Sequence, residues 1–387
     1  MKKILIVANV AKEHILKFHV PLIHMLKESG WTVHVACAGE EEIPYCDQQW
    51  HMVYERNPVR FATLRGIVQL RRILKREKYD LVHCHTPTGG VVARLAALGL
   101  KDKPIVVYTV HGFHFYKGAP LVNWLVFFPV EWLLSWCTDC IVTIDEEDYQ
   151  NAQRLHMGMK QLRLIHGVGV RLECYSGPVS EYAKDALRKA LQLEGEPLVL
   201  TYVAELLENK NQTVLLRALK RIRQQRNVGV LLLPGPDHWN GYLEQEAQRL
   251  GVAPYVRFLG WRSDVRQILA VTNIYVASSL REGLPLNLME AQCAGLPIVA
   301  SENRGHRELV QNGENGFLVP PKDDVAFAEK ILQLYDDAAL WERMAQAGQK
   351  QVKKFALEPV LEANRALYGE LLGETPQPEL AASAAVE

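Results

Sequence analysis

The chain has 387 residues, more than one hydrophobic core ordinarily organises, so two domains are expected. Its 48% hydrophobic and 23% charged residues are the profile of a water-soluble globular protein. The 44 basic and 44 acidic side chains cancel, which excludes the basic excess of a general nucleic-acid binder.

The first ten residues, "MKKILIVANV", have a basic start too short for a secretory leader and no small-residue cleavage site, so they read as a first buried strand. The apolar run 4–8 is that strand. Residues 14–29 carry apolar side chains at helical spacing and end at Gly30, where a C-terminal cap belongs. Strands follow at 32–36, 81–84, 105–110 and 140–144, with helical segments between. Near-continuous apolar strands separated by helices predict a parallel sheet covered on both faces. The pattern pauses over 167–197 and restarts, with strands at 198–204, 228–234, 274–277 and 297–300 and helices at 211–225, 239–250, 286–294 and 323–335. A last helical stretch, 338–372, has no strand after it. The organisation expected is α/β, with two tandem doubly wound domains at 1–175 and 176–355. A C-terminal helix at 356–373 is expected to pack back on the first domain. The small, polar tail 374–387 has the composition of a disordered segment. Sheets of this kind bind ligands beyond the carboxyl ends of their strands, near helix N-termini.

Seven cysteines, at 37, 46, 84, 137, 140, 174 and 293, form no framework of short spacings, as expected of a reduced, cytosolic protein. Cys137 and Cys140 make the one CxxC, read here as packing because no second CxxC or His pair lies near it. No apolar run reaches about 18 residues, so no membrane-spanning helix is expected. The nearest approach, 121–137, holds three Trp and two Phe but is interrupted by Asn123, Pro129 and Glu131. It reads either as a helix buried on the first sheet, the favoured reading, or as a membrane-interface helix.

"REGLPLNLMEA" at 281–291 places Glu282 and Glu290 eight positions apart. Over eight helical steps they would be separated by about 12 Å along the axis and about 80° around it. They cannot act as acid and base on one atom, but they suit the two ends of an elongated, hydroxyl-rich ligand. Pro285 fits a helix start, and Gly283 and the free amides of the first turn can receive a phosphate between them. The alternative is a helix-start charge and a solvated Glu. Lys210, where a helix opens, reads as an anion binder or as a solvated lysine. His83 and His85 point the same way along a strand, as a metal pair would, but with no third ligand evident no metal is assigned. His111, before Gly112 at a strand end, reads as a substrate contact or a core histidine. The absence of GxGxxG after the first strand argues against a dinucleotide oxidoreductase. GxxxxGK[ST] and GxSxG are absent too, leaving P-loop and hydrolase readings without support.

Together these segments resemble the family 4 retaining glycosyltransferases of the GT-B fold, over roughly residues 1–370. The most specific part is the E-x7-E spacing within "EGLPLNLMEAQCAGLPIVAS", followed by "GHRELVQNGENGFLVPPKD". "DLVHCHTPTGGVVARLAA" and "VVYTVHGFHF" in the first half look closest to the branch that builds bacterial exopolysaccharides and capsules. The resemblance implies two Rossmann-like domains and sugar transfer with retained configuration, without metal or other cofactor. The donor implied is a nucleotide sugar, most often UDP-linked. Glu282 would bind hydroxyls of the donor sugar and Glu290 the ribose. Amides near Gly283, Leu284 and Leu286 would hold the diphosphate, Lys210 would neutralise the departing phosphate, and His111 would approach the sugar. The backbone near Phe258 and Leu259 would meet the base. Ala204-Glu205 stands where the family often has Gly-Arg, so Glu205 occupies a donor-binding position with Lys210 or Arg281 compensating. The Gly-Gly pair common after the first strand is absent, and "LPGPDHW" (233–239) matches the second-domain glycine loop in part. The acceptor implied is a saccharide on polyprenyl diphosphate. The location implied is cytoplasmic, peripheral on the inner membrane face through 121–137, with no nucleic-acid partner. A nucleotide-sugar epimerase of the same fold and an inactive transferase-like subunit are the alternatives.

Overall fold

A computed structural model of the chain describes residues 2–53, 61–116, 118–154 and 158–374. The segment expected to be a disordered tail lies, beyond residue 374, outside them. The chain divides into two compact units, Met1–Gly169 with Glu358–Glu387, and Val170–Leu357.

The first unit is built on strands β1 (Lys3–Val10), β2 (Thr32–Ala38), β3 (Gln48–His51), β4 (Leu81–His85), β5 (Ile105–Val110), β6 (Cys140–Thr143) and β7 (Gln161–Leu164). They form one parallel sheet in the order β3-β2-β1-β4-β5-β6-β7. β1 lies inside the sheet with helices over both faces, so Ile4 to Ala8 are all fully buried. The helix Leu357–Leu371 belongs to this unit through Val360, Leu367 and Tyr368, which join Ile4, Ile6, Val107 and Val142 in one core cluster.

The second unit continues with β8 (Val199–Thr201), β9 (Val230–Pro234), β10 (Val256–Gly260), β11 (Ile274–Ala277), β12 (Ile298–Ser301) and β13 (Gly316–Val319). These too are parallel, in the order β10-β9-β8-β11-β12-β13. In each sheet the chain winds outward one way and then the other from a central pair, β1/β4 and β8/β11. Such a reversal opens a crevice beyond the carboxyl ends of the central strands. The architecture is that of two Rossmann-like α/β domains. The stretch 167–197, where the strand–helix pattern pauses, contains a helix at Glu181–Ala190 that leaves no residue buried. Its Ser180 caps it by accepting from the Ala183 amide at 3.3 Å.

Two local features depart from expectation. The segment after β1 is a π-helix over Ala11–His19 that becomes an α-helix at Val20–Glu28. The helix Leu121–Ser135 buries a charged residue among apolar ones and leaves a second apolar side outside: Leu134 is buried on its inner edge. Glu131 is buried against Arg94, whose Nη1 donates to Glu131 Oε2 at 2.8 Å, and Ser135 is buried as well. Trp124, Phe127 and Phe128 are partly covered by the core. Leu121, Leu125, Leu133 and the following Trp136 are 74, 69, 60 and 65% exposed. The favoured reading of this helix as buried on the sheet is therefore corrected in part: one side packs on the first unit through Leu134, Trp124, Phe127, Phe128 and the Arg94–Glu131 pair, but much of the apolar surface points to solvent. Among the described residues no helix is long and apolar enough to cross a membrane.

Candidate active site

In the second unit, β11 runs out through Ser278 and Ser279 to Glu282, and the helix Leu286–Cys293 follows. Pro285 is its N-cap, one position earlier than the first turn, with extended backbone. Glu282 is thus outside the helix and Glu290 inside it.

Lys210 ends a short 3-10 turn, Glu208–Lys210, just before the helix Gln212–Arg226. Asn211 locks this turn: its left-handed backbone joins the two helices, and its side-chain amide donates to the carbonyls of Ser278 and Pro321 at 3.2 and 2.7 Å. Ser278 Oγ donates to the Lys210 carbonyl at 2.7 Å. So braced, Lys210 Nζ lies 2.5 Å from Glu282 Oε1, both side chains largely shielded from water. Ser279 donates to the same oxygen at 2.5 Å, which leaves Tyr202 to donate to Ser279 Oγ, also at 2.5 Å. A part-buried carboxylate with two donors on one oxygen is oriented rather than free to swing.

Gly283 is held from below by Gly305. A Cβ on Gly305 would fall 2.1 Å from the Gly283 carbonyl oxygen, so only glycine lets the helix Arg304–Leu309 come that close. Leu284 and Leu286 are partly buried against the core, and the first amides of the helix, which has no side-chain cap, are orphan donors. Glu290 accepts from Tyr175 Oη at 2.8 Å, and burial raises its pKa, the hydrogen bond opposing the shift. Glu205 is exposed; its carbonyl accepts from Gln212 Nε2 at 2.9 Å. Arg281 is exposed as well, and its carbonyl accepts from Asn209 Nδ2 at 3.0 Å. Phe258 and Leu259 lie on the edge strand β10, partly buried. The "LPGPDHW" loop ties that strand to the Ala204-Glu205 turn. Gly235 donates to the Gly260 carbonyl at 2.7 Å, and a Cβ on it would sit 1.8 Å from the Ala204 carbonyl oxygen.

Three residues of this neighbourhood were not singled out from sequence: Ser279, Tyr175 and His306. His306 is fully enclosed, with Nδ1 2.7 Å from the Ser301 carbonyl, so Nδ1 carries the proton. Its Nε2 is buried without a hydrogen-bond partner among the described residues. Burial lowers its pKa to about 4, with Glu282 pulling the other way. The "GHREL" segment was the only signal available, and nothing in it says that the ring turns inward.

In the first unit the HxH pair divides. His83 is a satisfied core histidine, with Nδ1 2.5 Å from Tyr368 Oη and Nε2 2.7 Å from Thr109 Oγ1. His85 instead meets His111, Nδ1 to Nε2 at 3.3 Å, and His14 and His19 close on the same point. His83 and His85 therefore do not act as a pair: His83 lies apart, and His85 groups with His14, His19 and His111. His111 is partly buried and its ring faces these histidines; burial holds it well below the ordinary imidazole pKa.

Comparison with known proteins decides the family. Residues 183–351 match the family model described as "Glycosyl transferases group 1", and residues 3–144 match "Glycosyl transferase 4-like". The chain is 39% identical to the protein named glycosyltransferase EpsD of Bacillus subtilis (strain 168), over 95% of this chain and 96% of that one. The chain belongs to the family 4 glycosyltransferases. This transferase is also 31% identical to the UDP-Gal:alpha-D-GlcNAc-diphosphoundecaprenol alpha-1,3-galactosyltransferase of Escherichia coli, over 74% of each chain. Among solved structures, Anabaena Alr3699/HepE in complex with UDP and glucose superposes with a TM-score of 0.77 at 20% identity, covering 96% of this chain and all of that one, which establishes the GT-B fold. The transferase falls in the branch of exopolysaccharide and capsule synthesis.

Proposed function

We propose that this glycosyltransferase moves a sugar from a UDP-sugar to a saccharide acceptor carried on polyprenyl diphosphate, with retained anomeric configuration. The observation that carries the reading is the Lys210–Glu282 pair, oriented by Ser279 at the mouth of a helix N-terminus. Orphan amides of that helix, with Lys210 beside them, suit a diphosphate. Glu282 is placed to accept from sugar hydroxyls, and Glu290, turned by Tyr175, to accept from the ribose. Phe258 and Leu259 offer edge backbone to the base. Lys210 supplies the cation that opposes charge on the leaving phosphate, a part the exposed Glu205 cannot take. No metal ion enters this scheme. The UDP and undecaprenol-linked substrates named for the relatives support the choice of donor and acceptor class.

A thermal-shift series tests the donor. UDP-sugars are expected to raise the melting temperature of the intact chain, since a ligand bound only by the folded state stabilises it. In Glu290→Ala the shift is expected to shrink for UDP-sugar and for UDP alike, because the ribose is common to both. Equal shifts in variant and parent would remove Glu290 from the site, and no shift with any nucleotide sugar would sink the donor assignment.

A lipid-linked acceptor calls for contact with a bilayer surface. The exposed apolar face of the helix Leu121–Ser135, with Trp132 and Trp136 beside it, has the chemistry of an interfacial element. The purified chain is expected to float with anionic liposomes at low salt, and Leu125→Lys with Leu133→Lys to leave it at the bottom of the gradient. Parent protein that stays at the bottom would rule the contact out.

A further inference from the structure

The crevice at the β1/β4 reversal of the first unit holds four histidines that the transfer scheme does not explain. His14 and His19 come from the π-helix, His85 from the end of β4 and His111 from just beyond β5. Their potential ligand atoms all lie within 4.8 Å of one another. The backbone accounts for the first two. In an α-helix, residues five apart are rotated by about 140° and face different ways. A π-helix bonds i to i+5 and so stacks them, which brings His14 Nε2 to 3.1 Å from His19 Nε2. Segments of this kind are rare and recur at functional sites.

We propose that His14, His19, His85 and His111 form a binding site for one divalent transition-metal ion of the zinc type. Four nitrogens around zinc, at about 2.0–2.1 Å, stand about 3.3 Å apart in a tetrahedron. Two of the pairs are at that spacing, 3.1 Å for His14–His19 and 3.3 Å for His85–His111. The remaining separations are at most 4.8 Å. An all-imidazole set suits zinc, copper or nickel and not magnesium or calcium. A cavity of about 30 Å³ touches His19, His85 and His111 beside Phe18, Val142 and Asn364, room for a single water-sized body. His85 presents Nδ1 to the group, and its Nε2 is buried without a hydrogen-bond partner among the described residues. His83, one step away, has both ring nitrogens taken and stands outside the set. The ion would tie the exits of β1, β4 and β5 together and fix the position of His111. Its role is structural, and it is independent of the donor reading in the other unit.

The test uses the full chain, stripped with EDTA and dialysed against buffer containing zinc chloride, with bound metal measured by mass spectrometry. One zinc per chain is expected to be retained. Cobalt in its place is expected to show the intense visible absorption of a four-coordinate ion. His14→Gln, at a partly exposed position, is expected to weaken zinc binding beyond the about 10–100-fold that outer-shell changes cost. His24→Ala, an exposed histidine outside the cluster, is expected to bind as the parent does. No retained metal, or undiminished binding by His14→Gln, would overturn the proposal. UDP-sugar thermal shifts measured on the same samples report the donor site separately.

Discussion

Lys210→Ala is expected to lower kcat by about 10²–10³-fold, the loss seen when one preorganised group that stabilises transition-state charge is removed. The side chain has two tasks in this structure. It balances Glu282, and through that pairing it holds a cation by the turn before the helix that suits the phosphates. Only the second grows during reaction, as negative charge builds on the leaving diphosphate, so the effect belongs mainly in kcat. Removal also leaves Glu282 part-buried with Ser279 still donating to it. Some rise in KM for the donor should accompany the fall in kcat for that reason. Lys210→Arg keeps the charge but not the compact ammonium, and is expected to recover part of the rate. Steady-state kinetics with a labelled UDP-sugar and a lipid-linked acceptor decide the matter. An unchanged kcat in Lys210→Ala would show that the charge on the leaving group is met elsewhere.

Glu131→Ala should destabilise the first unit by about 3–5 kcal/mol, the cost of stranding one half of a buried ion pair. Arg94 has no exposed surface, donates to the Gly90 carbonyl at 2.9 Å and lies 4.0 Å over the Tyr108 ring. It cannot reach water when Glu131 is gone. For a unit of this size, each kcal/mol lowers the melting temperature by roughly 2–4 °C. The double change Arg94→Met with Glu131→Leu is expected to recover much of the loss, because an apolar pair has no charge to strand. Calorimetry of the full chain reads both. A single mutant as stable as the double would mean that Arg94 finds another partner.

How much was legible differs between the two levels of structure. The central strands announced themselves, since a strand covered on both faces needs a continuous apolar run, and Ile4 to Ala8 and Ile274 to Ala277 are such runs. The four strands that went unrecognised are β3, β7, β10 and β13. They are the four edges of the two sheets. The edge strands "QQWH" and "QLRL" pair on one side only and are partly open, so their patterns carry little apolar signal, whereas β13, "GFLV", is apolar but only four residues long. The final helical stretch, 338–372, breaks at Lys353–Phe355, and its second half packs with the first unit.

The sequence by itself determined the class of the chain. Alternating apolar strands and amphipathic helices specify doubly wound sheets, and Glu282, Gly283 and Glu290 at their spacing mark the helix start where a donor would sit. Those signals are local, written in residues a few positions apart. Tertiary structure decided what depends on segments far apart in the chain. It brought Lys210 onto Glu282 and Tyr175 onto Glu290, 72 and 115 positions away. It turned a helix of leucine and tryptophan outward around a buried charge pair. A change of helical pitch between Ala11 and His19 set two histidines on one face, and the β1/β4 reversal delivered the other two. Pitch and strand order are settled by packing of the whole domain, so no local pattern could have announced that cluster.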